Sequence, residues 1–152
     1  MKHRAEAGRC QTVIEAHQAL LPGLALKAMR GKMPGAAAAY AGGRHWSQVD
    51  AALQSEVRNA IRADAQAGDL PTLYNAFNSD EAWGLAYTER LGFMAAWIAL
   101  QPPGVGQAII ERTVNSGHLK VRAPSATEMA EALLAARPIV ETARKAHKAP
   151  GA

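Results

Sequence analysis

The side chains that could support catalysis or metal binding are few and widely spaced. The chain has a single cysteine, Cys10, and five histidines without the close helical spacing of a zinc-binding pair, namely His3, His17, His45, His118 and His147. Cys10 and His17 would share one face of a helix, but two helical turns separate them by about 10.5 Å. That is too far for the hydrogen bond that activates a nucleophile. We therefore predict no catalytic residues, no metal site and no cofactor.

A glycine-rich segment ahead of a predicted helix is a candidate anion site. Residues 42–47 read Gly-Gly-Arg-His-Trp-Ser and lead into an amphipathic helix that we predict over residues 47–67. Free backbone N–H groups and the positive end of the helix dipole favour anions. We take Gly43, Arg44 and His45 as the anion-binding candidates. The alternative is an ordinary loop, because the segment contains no Walker or dinucleotide fingerprint.

The composition indicates that helices position these residues. Hydrophobic residues make up 49% of the 152 residues and include many alanines, whereas aromatic residues make up only 5%. This balance favours closely packed helices over a sandwich of β-branched strands. We predict an all-α fold in one domain over residues 1–152, with a frayed tail at 148–152. The architecture we expect is a compact bundle of about six helices.

The centre of this bundle is predicted to be one long buried helix at residues 79–101, which is apolar on more than one face. Ser79 would cap its N-terminus, and Pro102 would end it. Glu89 and Arg90 interrupt the apolar run, so the segment falls short of the roughly 20 apolar residues that a membrane span needs. We expect this charged pair to contact neighbouring helices or solvent, and we expect no membrane association.

Apolar spacing and capping residues predict the remaining helices around this centre. We expect them at residues 5–30 with a break at Pro22, at a short alanine-rich stretch within 31–43, and at 47–67, 70–77, 105–116 and 125–148.

The last of these segments carries a motif of apolar spacing with a short interruption. Its apolar positions are Met129, Ala130, Leu133, Ala135, Val140 and Ala143. This pattern resembles the helix-turn-helix of bacterial DNA-binding regulators. The resemblance implies phosphate or base contacts from four residues on or beside a recognition helix, namely Arg137, Arg144, Lys145 and Lys148. The alternative is a single amphipathic helix kinked at Pro138.

Charge and aromatic residues are unevenly distributed along the chain. Residues 1–49 carry seven Lys or Arg against two acids, residues 50–89 two against seven, and residues 90–152 eight against four. Residues 74–97 hold six of the eight aromatics. Two interpretations of the charge stay open: the segments attract one another in the fold or are solvated, or the basic segments form a surface for an anionic partner. Clustered rings anchor both cores and interfaces.

We therefore expect a non-enzymatic accessory or regulatory protein that binds a protein or a nucleoprotein complex. A single cysteine agrees with a reducing, cytoplasmic setting. Two alternatives stay open: a DNA-binding regulator that uses residues 125–148, and a small-molecule enzyme that uses Cys10, His17 or His45. The sequence leaves the oligomeric state open.

Overall fold

The computed structural model describes residues 23–79, 82–115 and 122–148, apart from the side chains of residues 114, 147 and 148. Within these ranges the chain is all-α and contains no strand, which confirms the predicted fold class. Two short 3-10 turns, at Trp46–Gln48 and Ala82–Gly84, connect the helices. The helices are α1 (23–30), α2 (Ala36–Gly42), α3 (Ala51–Gln66), α4 (Leu70–Asn78), α5 (Tyr87–Leu100), α6 (Val105–Asn115) and α7 (Ala126–Lys148).

Helix α5 is the central buried helix of the bundle. All seven residues from Leu91 to Trp97 are buried, and α4, α6 and α7 pack against this helix. Its length differs from the prediction, because α5 begins at Tyr87 and not at Ser79. Ser79 instead follows the last residue of α4 as its C-terminal cap.

The start of the predicted helix is replaced by a left-handed turn. Ala82, Trp83 and Gly84 have φ angles of 56°, 49° and 73°, and no right-handed helix can pass through three such residues. The turn buries the Trp83 ring, of which 3% is exposed. A left-handed conformation costs a residue with a Cβ about 1–2 kcal/mol, so packing of the ring must offset strain in the backbone.

Arg90 joins α5 to the C-terminal end of α4. Its Nε donates to the carbonyl of Ala76 at 3.0 Å, and its Nη2 donates to the carbonyls of Phe77 and Ser79 at 2.6 and 2.8 Å. The last carbonyls of a helix have no intrahelical donor and carry its partial negative charge. Arg90 therefore caps the C-terminus of α4 across the turn. Burial lowers the pKa of this guanidinium.

Helix α3 covers only part of the helix that was predicted at residues 47–67. The predicted helix at 47–67 is divided into the turn at Trp46–Gln48 and α3, which starts at Ala51. Gly68 ends this region with a φ of 87°, a left-handed conformation that glycine adopts without strain. A Cβ at Gly68 would lie 2.5 Å from the Cβ of Ala143, so α7 also passes close to this position.

Helix α7 is continuous through Pro138, so the predicted helix-turn-helix is wrong and the single-helix alternative is confirmed. Pro138 has no N–H for the carbonyl of Leu134, but Leu134 is 64% exposed and water can satisfy that group. The buried face continues on both sides of the proline, with Ala136 before it and Ile139 after it. This packing holds both halves of α7 against the core.

Ser125 and Glu128 form a capping box at the start of α7. The backbone N–H of Glu128 donates to Ser125 Oγ at 3.1 Å, and the backbone N–H of Ser125 donates to Glu128 Oε1 at 3.0 Å. These reciprocal bonds satisfy two donors at the helix N-terminus. They fix the point at which α7 begins.

Ion pairs connect α3 to its neighbours. Arg62 binds Glu89 with two hydrogen bonds of 2.7 and 3.2 Å, and this contact confirms that Glu89 reaches a neighbouring helix. Arg30 binds Glu56 in the same bidentate manner at 2.9 and 3.2 Å. In the described ranges, no helix combines the length and the apolar character that crossing a membrane requires.

We predict that Arg90→Met lowers the free energy of unfolding by about 3 kcal/mol, because three partly buried carbonyls lose a charged donor. Urea denaturation followed by circular dichroism measures this loss. Arg112→Met is the matched control, since Arg112 is exposed on α6 and its replacement should change stability by no more than about 0.5 kcal/mol. Equal denaturation midpoints for the two variants would contradict the capping role of Arg90.

Candidate functional site

An apolar groove lies between α5, α6 and the first half of α7. Its floor is formed by Leu91, Met94, Ala95 and Ile98 of α5, which recur at three- and four-residue spacing. One wall comes from α6, and the other comes from Met129 and Leu133 of α7 together with the segment before it. The cavity has a volume of about 690 Å³, within the range of roughly 300–1,000 Å³ that is usual for ligand sites.

One end of the groove is closed by a network around Arg122. The Tyr87 hydroxyl donates to the carbonyl of Arg122 at 2.6 Å, and the guanidinium of Arg122 lies 4.2 Å from the centre of the Tyr87 ring. The same guanidinium binds both carboxylate oxygens of Glu128, at 2.8 and 2.6 Å. Arg122 therefore ties the segment before α7 to α5, and Glu128 neutralises its charge.

This network also determines the ionisation of Glu128. Hydrogen bonds from Arg122, and then from the backbone of Ser125, lower the pKa of the Glu128 carboxyl from 4.5 to about 2. Both contacts stabilise the charged form. The carboxylate consequently remains ionised, and the network intact, over the whole physiological pH range.

The α6 side of the groove carries a second, less restrained carboxylate. Glu111 is exposed, and its Oε1 accepts a hydrogen bond from the Gln107 amide at 3.1 Å. Gln107 is neutral, and no cation in the described part of the chain forms an ion pair with Glu111. Among the described lining residues, Glu111 is thus a carboxylate without an ion pair beside an apolar surface.

The wall formed by α7 is unusual because a large apolar side chain faces solvent there. Leu133 lines the groove and is 60% exposed. Leu134 is 64% exposed but does not line the groove. Consecutive residues of a helix point about 100° apart, so the two leucines lie on different faces of α7. Two adjacent leucines cannot both face one core, but the sequence pattern did not show which of them would line a groove.

The predicted anion site at Gly43, Arg44 and His45 has a different geometry from the one expected. Gly43 is the C-terminal cap of α2, and three residues of 3-10 turn, not a long helix, follow His45. Arg44 Nε donates to the carbonyl of Tyr40 at 3.2 Å, and Nη1 donates to the Tyr40 hydroxyl at 3.1 Å. These residues therefore lie at the negative end of a helix, which is the opposite of the predicted arrangement.

The predicted DNA-contacting residues all lie on the second half of α7. Arg137, Arg144 and Lys145 are exposed, and Lys148 is the last residue of the helix. Spacings of seven and eleven residues place positions 137, 144 and 148 on one face. Glu141 lies on the same face, so its negative charge interrupts the basic row. No separate recognition helix is formed here.

The residues considered for catalysis are not assembled in the part of the chain that the structure describes. Cys10, His3, His17 and His118 lie outside the described residues, and His45 is exposed. Within the described ranges, no three His, Cys, Asp or Glu residues are arranged to hold a metal ion.

Comparison with known proteins does not assign this arrangement to a family. No protein-family model, curated protein or solved structure matches the chain.

We predict that Arg122→Gln raises the pKa of Glu128 from about 2 towards its ordinary value of 4.5, because the largest stabilising contact is lost. Carbon-detected NMR titration of the Glu128 carboxyl measures the change. Since the folded-state pKa is depressed, this group stabilises the fold above about pH 4.5, and the contribution is lost as the pH falls through about 2.

Arg112→Gln is the control for this titration, because it removes an equal charge from an exposed position on α6. A Glu128 pKa that responds equally to both substitutions would show that general electrostatics, and not the bidentate contact, sets its value.

Proposed function

We propose that this protein is a non-enzymatic helical binding module that receives an amphipathic helix of a partner protein in the groove between α5, α6 and α7. The observation that carries the proposal is the apolar groove itself, with exposed Leu133 on one wall and, on the other, Glu111, which forms no ion pair with any residue in the described ranges. A groove between helices that takes up an apolar helix face is a recurrent mode of protein recognition.

The shape of the floor supports a helical occupant. Leu91, Met94, Ala95 and Ile98 form a row at i, i+3, i+4 and i+7, which runs for about 10.5 Å along α5. Leu91, Met94 and Ala95 are at most 9% exposed, so they form a closely packed apolar floor, and Ile98 is its most accessible member. A partner with apolar residues at the same spacing would complement this floor.

The composition of the lining would allow the groove to accommodate apolar side chains of different shapes. Met94 and Met129 contribute to the floor and to one wall. Methionine is unbranched and polarisable, so it adjusts its shape to irregular apolar surfaces. The described lining residues include no histidine, cysteine or serine, and this composition favours recognition over nucleophilic chemistry.

Charge supports a basic residue on the partner helix. Arg122 is already neutralised by Glu128, whereas the hydrogen bond that Glu111 accepts from another described residue comes from a neutral amide. A lysine or arginine beside the apolar stripe of the partner would add an opposite charge at Glu111. Such rim pairs contribute to specificity and to the rate of association more than to affinity.

Leu133→Lys tests the proposed groove, and Leu134→Lys is its matched control. The two leucines are adjacent and similarly exposed, but only Leu133 lines the groove. Both variants should retain the stability of the wild type within about 0.5 kcal/mol. Helical peptides selected from a randomised amphipathic library against the wild type should lose tenfold or more in affinity, about 1.4 kcal/mol, for Leu133→Lys alone.

The selected sequences provide a second readout. We expect apolar residues at i, i+3 or i+4, and i+7, with a lysine or arginine whose benefit disappears in Glu111→Gln. Equal affinity for the Leu133 and Leu134 variants would reject the groove as the binding surface. Tight binding of dodecanoate, with no selected peptide, would replace the partner helix with a small apolar ligand.

A further inference from the structure

A second cavity of about 470 Å³ lies away from the groove, between the C-terminal ends of α2 and α4 and the left-handed turn. The side of this pocket that comes from α2 is made of small residues, including Ala38, Ala39 and Gly42. Its polar lining consists of Arg44, Asn75, Asn78 and Ser79. Small residues therefore leave space for a ligand on one side of the pocket, and hydrogen-bonding groups line the other side.

Three arginines either line this pocket or donate hydrogen bonds to residues that line it. Arg44 lines it, Arg58 Nε donates to the carbonyl of Trp83 at 3.2 Å, and Arg90 donates to the carbonyl of Ser79. Trp83 and Ser79 are themselves lining residues. The guanidinium of Arg58 also lies against the turn, where a Cβ at Gly84 would be 2.5 Å from its Nη2.

These arginines differ from those in the rest of the described structure that bind carboxylates. Arg30, Arg62 and Arg122 each form a bidentate ion pair with a glutamate. By contrast, the hydrogen bonds of Arg44, Arg58 and Arg90 within the described ranges go to backbone carbonyls and to the Tyr40 hydroxyl. Among the described residues, no carboxylate is in contact with these three guanidinium groups.

The helix ends offset only part of this charge. A helix C-terminus carries about half a negative charge, so α2 and α4 together supply about −1 against three guanidinium groups. The next two residues after Ser79, Asp80 and Glu81, lie outside the described residues. The described surroundings of the pocket therefore favour a negatively charged ligand.

We propose that this pocket binds a small oxyanion, a carboxylate or a phosphate group, on the guanidinium of Arg44. Arginine has five N–H donors, and Arg44 uses two of them in its bonds to Tyr40. The remaining donors suit the oxygen atoms of a carboxylate or phosphate. The amide groups of Asn75 and Asn78 then hydrogen-bond to the rest of the ligand. This site is separate from the groove and does not depend on the proposed helix partner.

The position of Arg44 is already restrained before a ligand arrives. Its guanidinium carbon lies 3.8 Å from the centre of the Tyr40 ring, and Tyr40 itself is buried with 6% exposed. Stacking on an aromatic ring and two hydrogen bonds reduce the conformational freedom of a long side chain. Binding consequently costs less ordering of Arg44 than it would for an unrestrained surface arginine.

NMR titration of the full chain with sodium phosphate and, separately, with sodium succinate tests this site at constant ionic strength. We expect saturable shifts of the Asn75 and Asn78 side-chain amides and of the Arg44 Nε–H. Arg44→Gln should weaken binding about tenfold, because a charged bidentate contact is lost. Arg44→Lys should restore only part of the affinity, since an ammonium group cannot form the planar pair of bonds.

Arg137→Gln is the matched control, because it removes one positive charge from an exposed position on α7 and should leave the affinity unchanged. Asn75→Ala, at an exposed position, provides a second test if Arg44→Gln disturbs the end of α2. Shifts that do not saturate, or an equal loss in Arg137→Gln, would overturn the proposal. Preference for phosphate or for succinate identifies which oxyanion the pocket takes.

Discussion

The contact between Arg90 and the C-terminal end of α4 determines how α4 is joined to the central helix α5. It allows α4 to stop, the chain to turn through three left-handed residues, and α5 to start in the buried centre. Without it, the carbonyls at the end of α4 would face the interior with no donor. Because α5 forms the floor of the groove, the position of that floor also depends on this one guanidinium.

Local sequence signals predicted most helices correctly, since caps and apolar spacing act over a few residues. The Ser125 and Glu128 capping box and the left-handed Gly68 are examples. The start of the central helix was wrong for the same reason. Ser79 followed by two acids satisfies local rules for an N-terminus, whereas its true role depends on Arg90, eleven residues further along the chain. A contact at that distance has no local pattern.

The two candidate sites show the same division between local and tertiary information. The apolar spacing of α5 was visible in the sequence, but the separate roles of Leu133 and Leu134 depend on which face of α7 packs against the core. Arg44 was predicted as an anion-binding residue and does line the second pocket, although the predicted reason, a helix N-terminus, does not apply. Its surroundings come from α4 and the left-handed turn, and neither could be placed beside it from the sequence.

The close approach of Gly68 to Ala143 has a mechanical consequence for the groove. Near its C-terminal end, α7 passes so close to Gly68, which follows α3, that a methyl group added at Gly68 would collide with Ala143. The N-terminal end of α7 is fixed by contacts of Ser125 and Arg122. Because α7 is held near both ends, tilting it to widen the groove would require these contacts to break. Helix α6 has its main contacts with α5 alone. The fold therefore restrains the α6 wall of the groove less than the α7 wall.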